Sequence, residues 1–122
     1  MMLYTGMDAV EIQRLEAVVQ RHGERFLHRV FTAAEIQRYR SRPDSLAARF
    51  AAKEAVAKAL GCGIGKVNWV DIEVLHDSSG KPRLNLYRKA LQEAEKNGIR
   101  GWSISLTHTQ DLAMAIAVAW SE

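Results

Sequence analysis

One cysteine, Cys62, leaves no internal disulfide framework and fits a reducing compartment. Nowhere do about eighteen apolar residues run together, and no basic segment precedes an apolar one near the first residue, so neither membrane spanning nor export is expected. A cytoplasmic protein is the expectation. Aromatic residues make up 7% of the chain and do not alternate with basic ones, so the stacking platforms of single-strand nucleic-acid binders are missing. No nucleic-acid-binding motif, internal repeat or low-complexity tract is visible. The 122 residues, 48% of them hydrophobic, suffice for one core and are too few for two ordinary ones, so residues 1–122 are read as a single domain. The net charge of +3 and pI near 9.2 favour an anionic partner without choosing among nucleic acid, nucleotide cofactor and acidic protein.

The most informative stretch is residues 49–65, RFAAKEAVAKALGCGIG. Wound as a helix, it sets Ala48, Ala52, Ala55 and Ala59 on one small apolar face, and Leu46, Phe50, Ala57 and Leu60 on another. Arg49 and Lys53 fall in one seam between these faces, Glu54 and Lys58 in the other. A helix packed on two sides half-buries such charges, and half-buried charges require partners. Glu54 and Lys58 have the spacing of an ordinary i,i+4 pair. Gly61, Gly63 and Gly65 follow at once, where backbone can approach a ligand or adopt positive φ, although a helix cap and turn would use them equally well. One carboxylate, two lysines and a glycine loop suit a phosphate and metal site.

In chain order, residues 2–7 read as a strand that delivers Asp8 at its tip, while Asp8 and Glu11 also have the spacing of a capping box. A helix over 9–22 buries Ile12, Leu15 and Val19 and turns Val10, Arg14, Ala17 and Arg21 outward, with Gly23 as its end. The segment 24–31 adds Arg25 and Arg29 to this basic edge. Thr32 and Glu35 form a capping box for a short helix, and Asp44 or Ser45 caps the central one. Val70, Ile72 and Val74 alternate with Asp71 and Glu73 as a strand with one wet face, and residues 81–86 return as a second strand. Residues 87–96 read as an amphipathic helix. Two strands, 102–108 and 112–120, finish the chain, and the last alternates alanine with Leu112, Met114, Ile116, Val118 and Trp120, so both its faces are apolar. Helices are expected over one face, and a helix or a second subunit over the other.

Five segments together resemble the holo-[acyl-carrier-protein] synthases, the small bacterial class of 4′-phosphopantetheinyl transferases. They are Gly6-Met7-Asp8 with Glu11 and Arg14, the run from Arg49 to Gly61, Asp71-Ile72-Glu73-Val74, Gly80-Lys81-Pro82, and Ser105-Leu106-Thr107-His108-Thr109, in the family's order and almost end to end. Tyr4 and Cys62 depart from the family's pattern, at a strand glycine and at a small hydroxyl residue.

The resemblance implies the 4′-phosphopantetheinyl transferase fold, α+β, a small mostly antiparallel sheet packed with a long central helix and shorter helices, assembling as a homotrimer with active sites between subunits. It implies transfer of 4′-phosphopantetheine from coenzyme A to a serine of apo acyl carrier protein, with Mg²⁺, releasing adenosine 3′,5′-bisphosphate, as in fatty acid biosynthesis. It places Asp8 and Glu54 on the metal and, with Lys58, at the centre of catalysis. Lys58 also meets the coenzyme A phosphates, Arg49 and His108 the nucleotide end, and Gly61, Gly63 and Gly65 line the nucleotide. Arg14, Arg21 and Arg25 meet the acidic carrier protein. Either Glu54 or a metal-held water takes the serine proton. Neither nucleic acid nor membrane is a partner on this reading. Two other functions share parts of the pattern. A Mg²⁺-dependent phosphotransferase or nucleotide hydrolase would use the same carboxylates, and a basic nucleic-acid module would leave Asp8 and Glu54 unexplained.

Overall fold

Alternation of alanine with larger apolar residues makes the last strand the centre of the fold. A computed structural model describes Met1–Ser121. In chain order its elements are β1 (Leu3–Glu11), α1 (Ile12–Val30), α2 (Ala33–Tyr39), α3 (Pro43–Ala59), β2 (Ile72–His76), β3 (Pro82–Leu86), α4 (Arg88–Lys96), β4 (Ile99–His108) and β5 (Leu112–Ser121). The α+β class that the resemblance implies is present, with the expected small sheet divided in two. One sheet has the antiparallel order β1-β5-β4, and β2 with β3 forms a separate hairpin.

Ala113, Ala115, Ala117 and Ala119 are buried on the side of β5 covered by α3, whose Ala48, Ala52, Ala55 and Ala59 are buried against the sheet. Small residues meeting small ones let the helix lie close. Gly6 is the tightest point, where a methyl group would sit 1.9 Å from the Ala55 carbonyl oxygen and 2.8 Å from the Ala59 nitrogen. The other face of the sheet carries Leu3, Met7, Leu112 and Ile116, all exposed. Met7 pairs with Ile116, and Ile116 with Ser105, so these side chains form one row across the sheet.

Several local expectations are corrected. Asp8 is not a helix cap: β1 stays paired with β5 as far as Glu11, so α1 begins at Ile12 and Glu11 makes no side-chain cap bond. Sheet pairing of the backbone prevails over the local capping pattern. Neither Asp44 nor Ser45 caps α3. The helix opens with Pro43 in its first turn, whose missing N–H calls for no partner. Asp71 and Glu73 are not on a wet face. Both are buried; Glu73 accepts from Thr32 Oγ1 (2.6 Å), Asn85 Nδ2 and Tyr87 Oη (3.1 Å each), and Asp71 accepts from Arg88 Nε at 2.8 Å. The capping box of Thr32 and Glu35 forms as expected, and Gly23, at φ 57° and ψ −138°, breaks α1 where a stop was expected, the helix then resuming.

Candidate active site

Gly6 and Asp8 are two residues apart on a strand and therefore share a side, the side facing α3. Gly6 lets β1 press onto Ala55 and Ala59, and that contact carries the Asp8 side chain to Glu54 and Lys58 on the next exposed edge of the helix. Lys58 Nζ lies 3.2 Å from Asp8 Oδ1 and donates to the Met7 carbonyl at 3.0 Å. The i,i+4 pair of the sequence reading is thus replaced, Lys58 crossing to β1 instead of pairing with Glu54. Glu54 is half-buried, and its carboxyl is pushed above the ordinary range by burial first and by the neighbouring Asp8 charge second, with Lys58 opposing. Two carboxylates close enough to repel, with one ammonium between strand and helix, favour a cation at this tip. No group of three or more histidine, cysteine, aspartate or glutamate side chains suited to a metal occurs among the described residues. A hard ion that fills most of its shell from ligand oxygens and water fits such a pair of carboxylates better than one demanding a complete protein cage.

A second polar region lies at the other end of α3. Arg49, Ser45, Lys81 and His108 line a cleft of about 390 Å³. Arg49 is more buried than the half-burial expected, donating Nε–H to the Val74 carbonyl (3.3 Å) and Nη2–H to Tyr39 Oη (3.1 Å). Burial lowers its affinity for the proton, and Tyr39 opposes this. His108, at the end of β4, places Nε2 3.4 Å from Asp44 Oδ2. Lys81 is set by the turn before it, where Asp77 Oδ1 accepts from Ser79 Oγ (2.6 Å), Ser79 N (2.9 Å) and Lys81 N (3.0 Å). Ser45 and Lys81 were not singled out as site residues from sequence; Gly80-Lys81-Pro82 was the signal available for Lys81.

Arg49 and Lys58 are nine residues apart, which on a helix is about 13 Å of rise and half a revolution. Within one chain the predicted residues therefore divide into a tip, Asp8, Glu54 and Lys58, and a cleft, Arg49 and His108. The glycine loop continues from the tip end. Gly61, Gly63 and Gly65 all have positive φ with open space where a Cβ would stand, so conformation and not crowding calls for glycine. Gly61 and Gly63 N–H also cap the Lys58 and Ala57 carbonyls. The Cys62 thiol faces the Ala57 carbonyl at 3.9 Å and is held above its ordinary pKa by burial first and by Glu93 second.

Lys53, for which the sequence left open pairing with a carboxylate or a share in holding the phosphates, is fully buried and lies 2.7 Å from Glu35 Oε1, also donating to the carbonyls of Trp69 and Ile72. It belongs to the scaffold that holds α3. Arg14, Arg21 and Arg25 are exposed on α1, as expected, and Arg14 and Arg25 border two hollows that share Val18 and Phe26.

Residues 4–117 match the model of the 4′-phosphopantetheinyl transferase superfamily. The holo-[acyl-carrier-protein] synthase of Herpetosiphon aurantiacus is 49% identical over 124 residues, covering 96% of this chain and 98% of the relative. The crystal structure of Helicobacter pylori holo-[acyl-carrier-protein] synthase in complex with coenzyme A aligns with a TM-score of 0.87 at 32% identity, over 95% of this chain and 99% of that one. That of the Bacillus anthracis synthase in complex with CoA (3′,5′-ADP) aligns with a TM-score of 0.79 at 32% identity, over 98% and 96%.

Proposed function

The chain belongs to the 4′-phosphopantetheinyl transferase superfamily as a holo-[acyl-carrier-protein] synthase, and from that premise we propose that it uses coenzyme A and Mg²⁺ to load a serine of apo acyl carrier protein, releasing adenosine 3′,5′-bisphosphate. The observation that carries this reading is the convergence of Asp8, Glu54 and Lys58 at the β1–α3 contact. Coenzyme A in the two solved relatives supports the choice of donor.

Asp8 and Glu54 would hold the metal, which when bound supplies positive charge at the pyrophosphate. Lys58 adds a mobile cation for the same phosphate oxygens; its ammonium is half-exposed and can leave Asp8 once the carboxylate has another partner. The serine oxygen attacks the phosphorus bonded to pantetheine and gives up its proton to Glu54 or to water, a phosphorus–oxygen bond forms there, and the nucleotide leaves with the electron pair of the broken pyrophosphate bond. Positioning and charge at this tip carry the rate.

Arg49, His108 and Lys81 would receive the nucleotide end, with the ribose phosphate the natural match for a guanidinium and an ammonium in one cleft. Tip and cleft face away from each other on α3, so one coenzyme A is read as spanning the tip of one copy and the cleft of the next. The uncovered apolar row of Met7 and Ile116 suits such an assembly, a homotrimer whose sites lie between subunits. Gly61, Gly63 and Gly65 would border the nucleotide beside Lys58. Arg14, Arg21 and Arg25 would dock the acidic carrier, with Val18 and Phe26 as the apolar contact between them.

The test is to incubate the protein with coenzyme A, Mg²⁺ and an apo carrier and look by mass spectrometry for the phosphopantetheine adduct, with a chelator control and Glu54→Gln alongside. A metal-dependent adduct that the variant does not form is expected. An adduct formed equally with chelator, or by Glu54→Gln, would refute the assignment of the tip.

A further inference from the structure

Arg49 is held in its cleft by groups to which the transfer reaction itself gives no role. Tyr39, 1% exposed, lies with its ring 3.9 Å from the guanidinium carbon. Its hydroxyl is 3.1 Å from Arg49 Nη2 and 2.5 Å from Nδ1 of half-buried His76. A guanidinium can only donate, so Tyr39 Oη accepts from Arg49, and toward His76 Nδ1 it donates in the Nε2–H tautomer of the imidazole. In that tautomer the order runs from Arg49 to Tyr39 to His76. The end of the chain is itself anchored, since His76 belongs to β2 and its carbonyl accepts from Arg38 Nη1 at 3.2 Å.

The donor count shows what this arrangement leaves over. Arg49 has five N–H groups. Val74 O, Ser45 O and Tyr39 Oη take one each. Two N–H groups have no protein acceptor among the described residues, on a side chain that lines the cleft. A guanidinium pinned along one edge and stacked on a ring has little freedom to rotate, and its remaining donors keep a fixed direction.

We propose that Tyr39 and His76 are positioning residues that orient Arg49 toward the phosphate on the ribose of coenzyme A. This rests on the placement of the nucleotide end in the Arg49 cleft. The two remaining N–H groups match the paired oxygens of a phosphate, a geometry a freely rotating guanidinium would offer only part of the time. Neither Tyr39 nor His76 touches the substrate, and the effect passes wholly through Arg49.

The experiment compares coenzyme A with dephospho-coenzyme A, which lacks that phosphate, in wild type and in Tyr39→Phe, His76→Leu, His76→Asn and Arg49→Gln. Tyr39→Phe and His76→Leu are expected to raise KM for coenzyme A about tenfold, the worth of one hydrogen bond to a charged group, and to leave KM for dephospho-coenzyme A and for the carrier nearly unchanged. His76→Asn, whose side-chain oxygen can stand where Nδ1 stood, is expected to restore most of the loss. Equal losses on both donors, accompanied by a lower melting temperature, would show a purely structural role and overturn the proposal. So would an unchanged preference for coenzyme A in both Tyr39→Phe and His76→Leu while Arg49→Gln abolishes it. If Arg49→Gln itself leaves the preference intact, the placement of the nucleotide end falls, and the relay with it.

Discussion

Lys53→Met removes the one cation from a buried site built wholly around it. Its ammonium has three protons and three acceptors: Glu35 Oε1 at 2.7 Å, the Trp69 carbonyl at 3.2 Å and the Ile72 carbonyl. Burial lowers its proton affinity and Glu35 opposes this. Glu35 in turn accepts from Thr32 N (2.9 Å) and Val74 N (2.7 Å), so a single pair ties α2, α3 and β2 together. Methionine fills a similar volume but leaves the buried Glu35 carboxylate without its counter-charge and takes a donor from the Trp69 and Ile72 carbonyls. Breaking a buried pair from one side costs about 3–5 kcal/mol. With unfolding entropy near 2.1 cal/mol/K per residue, that is a fall in Tm of about 12–20 °C for a domain of this size. Adding Glu35→Gln should recover part of the loss, giving a double variant more stable than the sum of the single changes. Urea unfolding followed by circular dichroism, at one protein concentration for all variants, measures these terms. A Lys53→Met cost below about 1 kcal/mol, or strict additivity with Glu35→Gln, would refute the reasoning.

Gly6→Ala places a methyl group 1.9 Å from a helix backbone oxygen that has no room to give, so β1 must lift and Asp8 with it; kcat should fall about a hundredfold, as for a misplacement near 1 Å, and a value within twofold of wild type would contradict the close contact. Arg14→Glu should raise KM for the carrier protein far more than KM for coenzyme A, read from steady-state rates with each substrate varied; equal effects would move the carrier elsewhere. Glu73 is held below the ordinary carboxylate range because hydrogen bonds, from Thr32 foremost, outweigh the burial that would raise it. A depressed folded value means that stability is present above the unfolded glutamate value, about 4.3, and is lost as pH falls through the folded one, so Glu73→Gln should flatten the acid limb of Tm against pH.

Much of the site was legible because its chemistry is local. Arg49, Glu54 and Lys58 lie on one helix, with Arg49 on one side and Glu54 and Lys58 on the other, whereas Lys53, expected beside Arg49 in a half-buried seam, is fully buried. The strand character of β5 was legible because its period of two is unbroken, despite four alanines. What sequence could not supply was the partner across a tertiary contact. Asp8 and Glu11 fitted a capping box, yet the pairing of Val10 with Ala113 and of Glu11 with Leu112 kept that stretch extended. Lys58 had Glu54 one turn away, yet the close approach at Gly6 brought Asp8 nearer. Glu35 looked like a capping residue and is one, but its second oxygen and its pairing with Lys53 arise from the packing of α2 on α3. Asp71 and Glu73 alternated as a wet face should, and burial came from Thr32, Tyr87 and Arg88, none of which a strand pattern contains.

The central claim is that the Asp8–Glu54–Lys58 tip of one copy and the Arg49–His108 cleft of another make one site. Mixing Glu54→Gln with Arg49→Gln subunits tests it directly, after unfolding and refolding them together, with the transfer rate measured at low coenzyme A. Shared sites predict that equal, random mixing restores about a quarter of wild-type activity, because about one site in four draws both intact halves. A mixture no more active than the average of the two variants would contradict the account and place the whole site within a single chain.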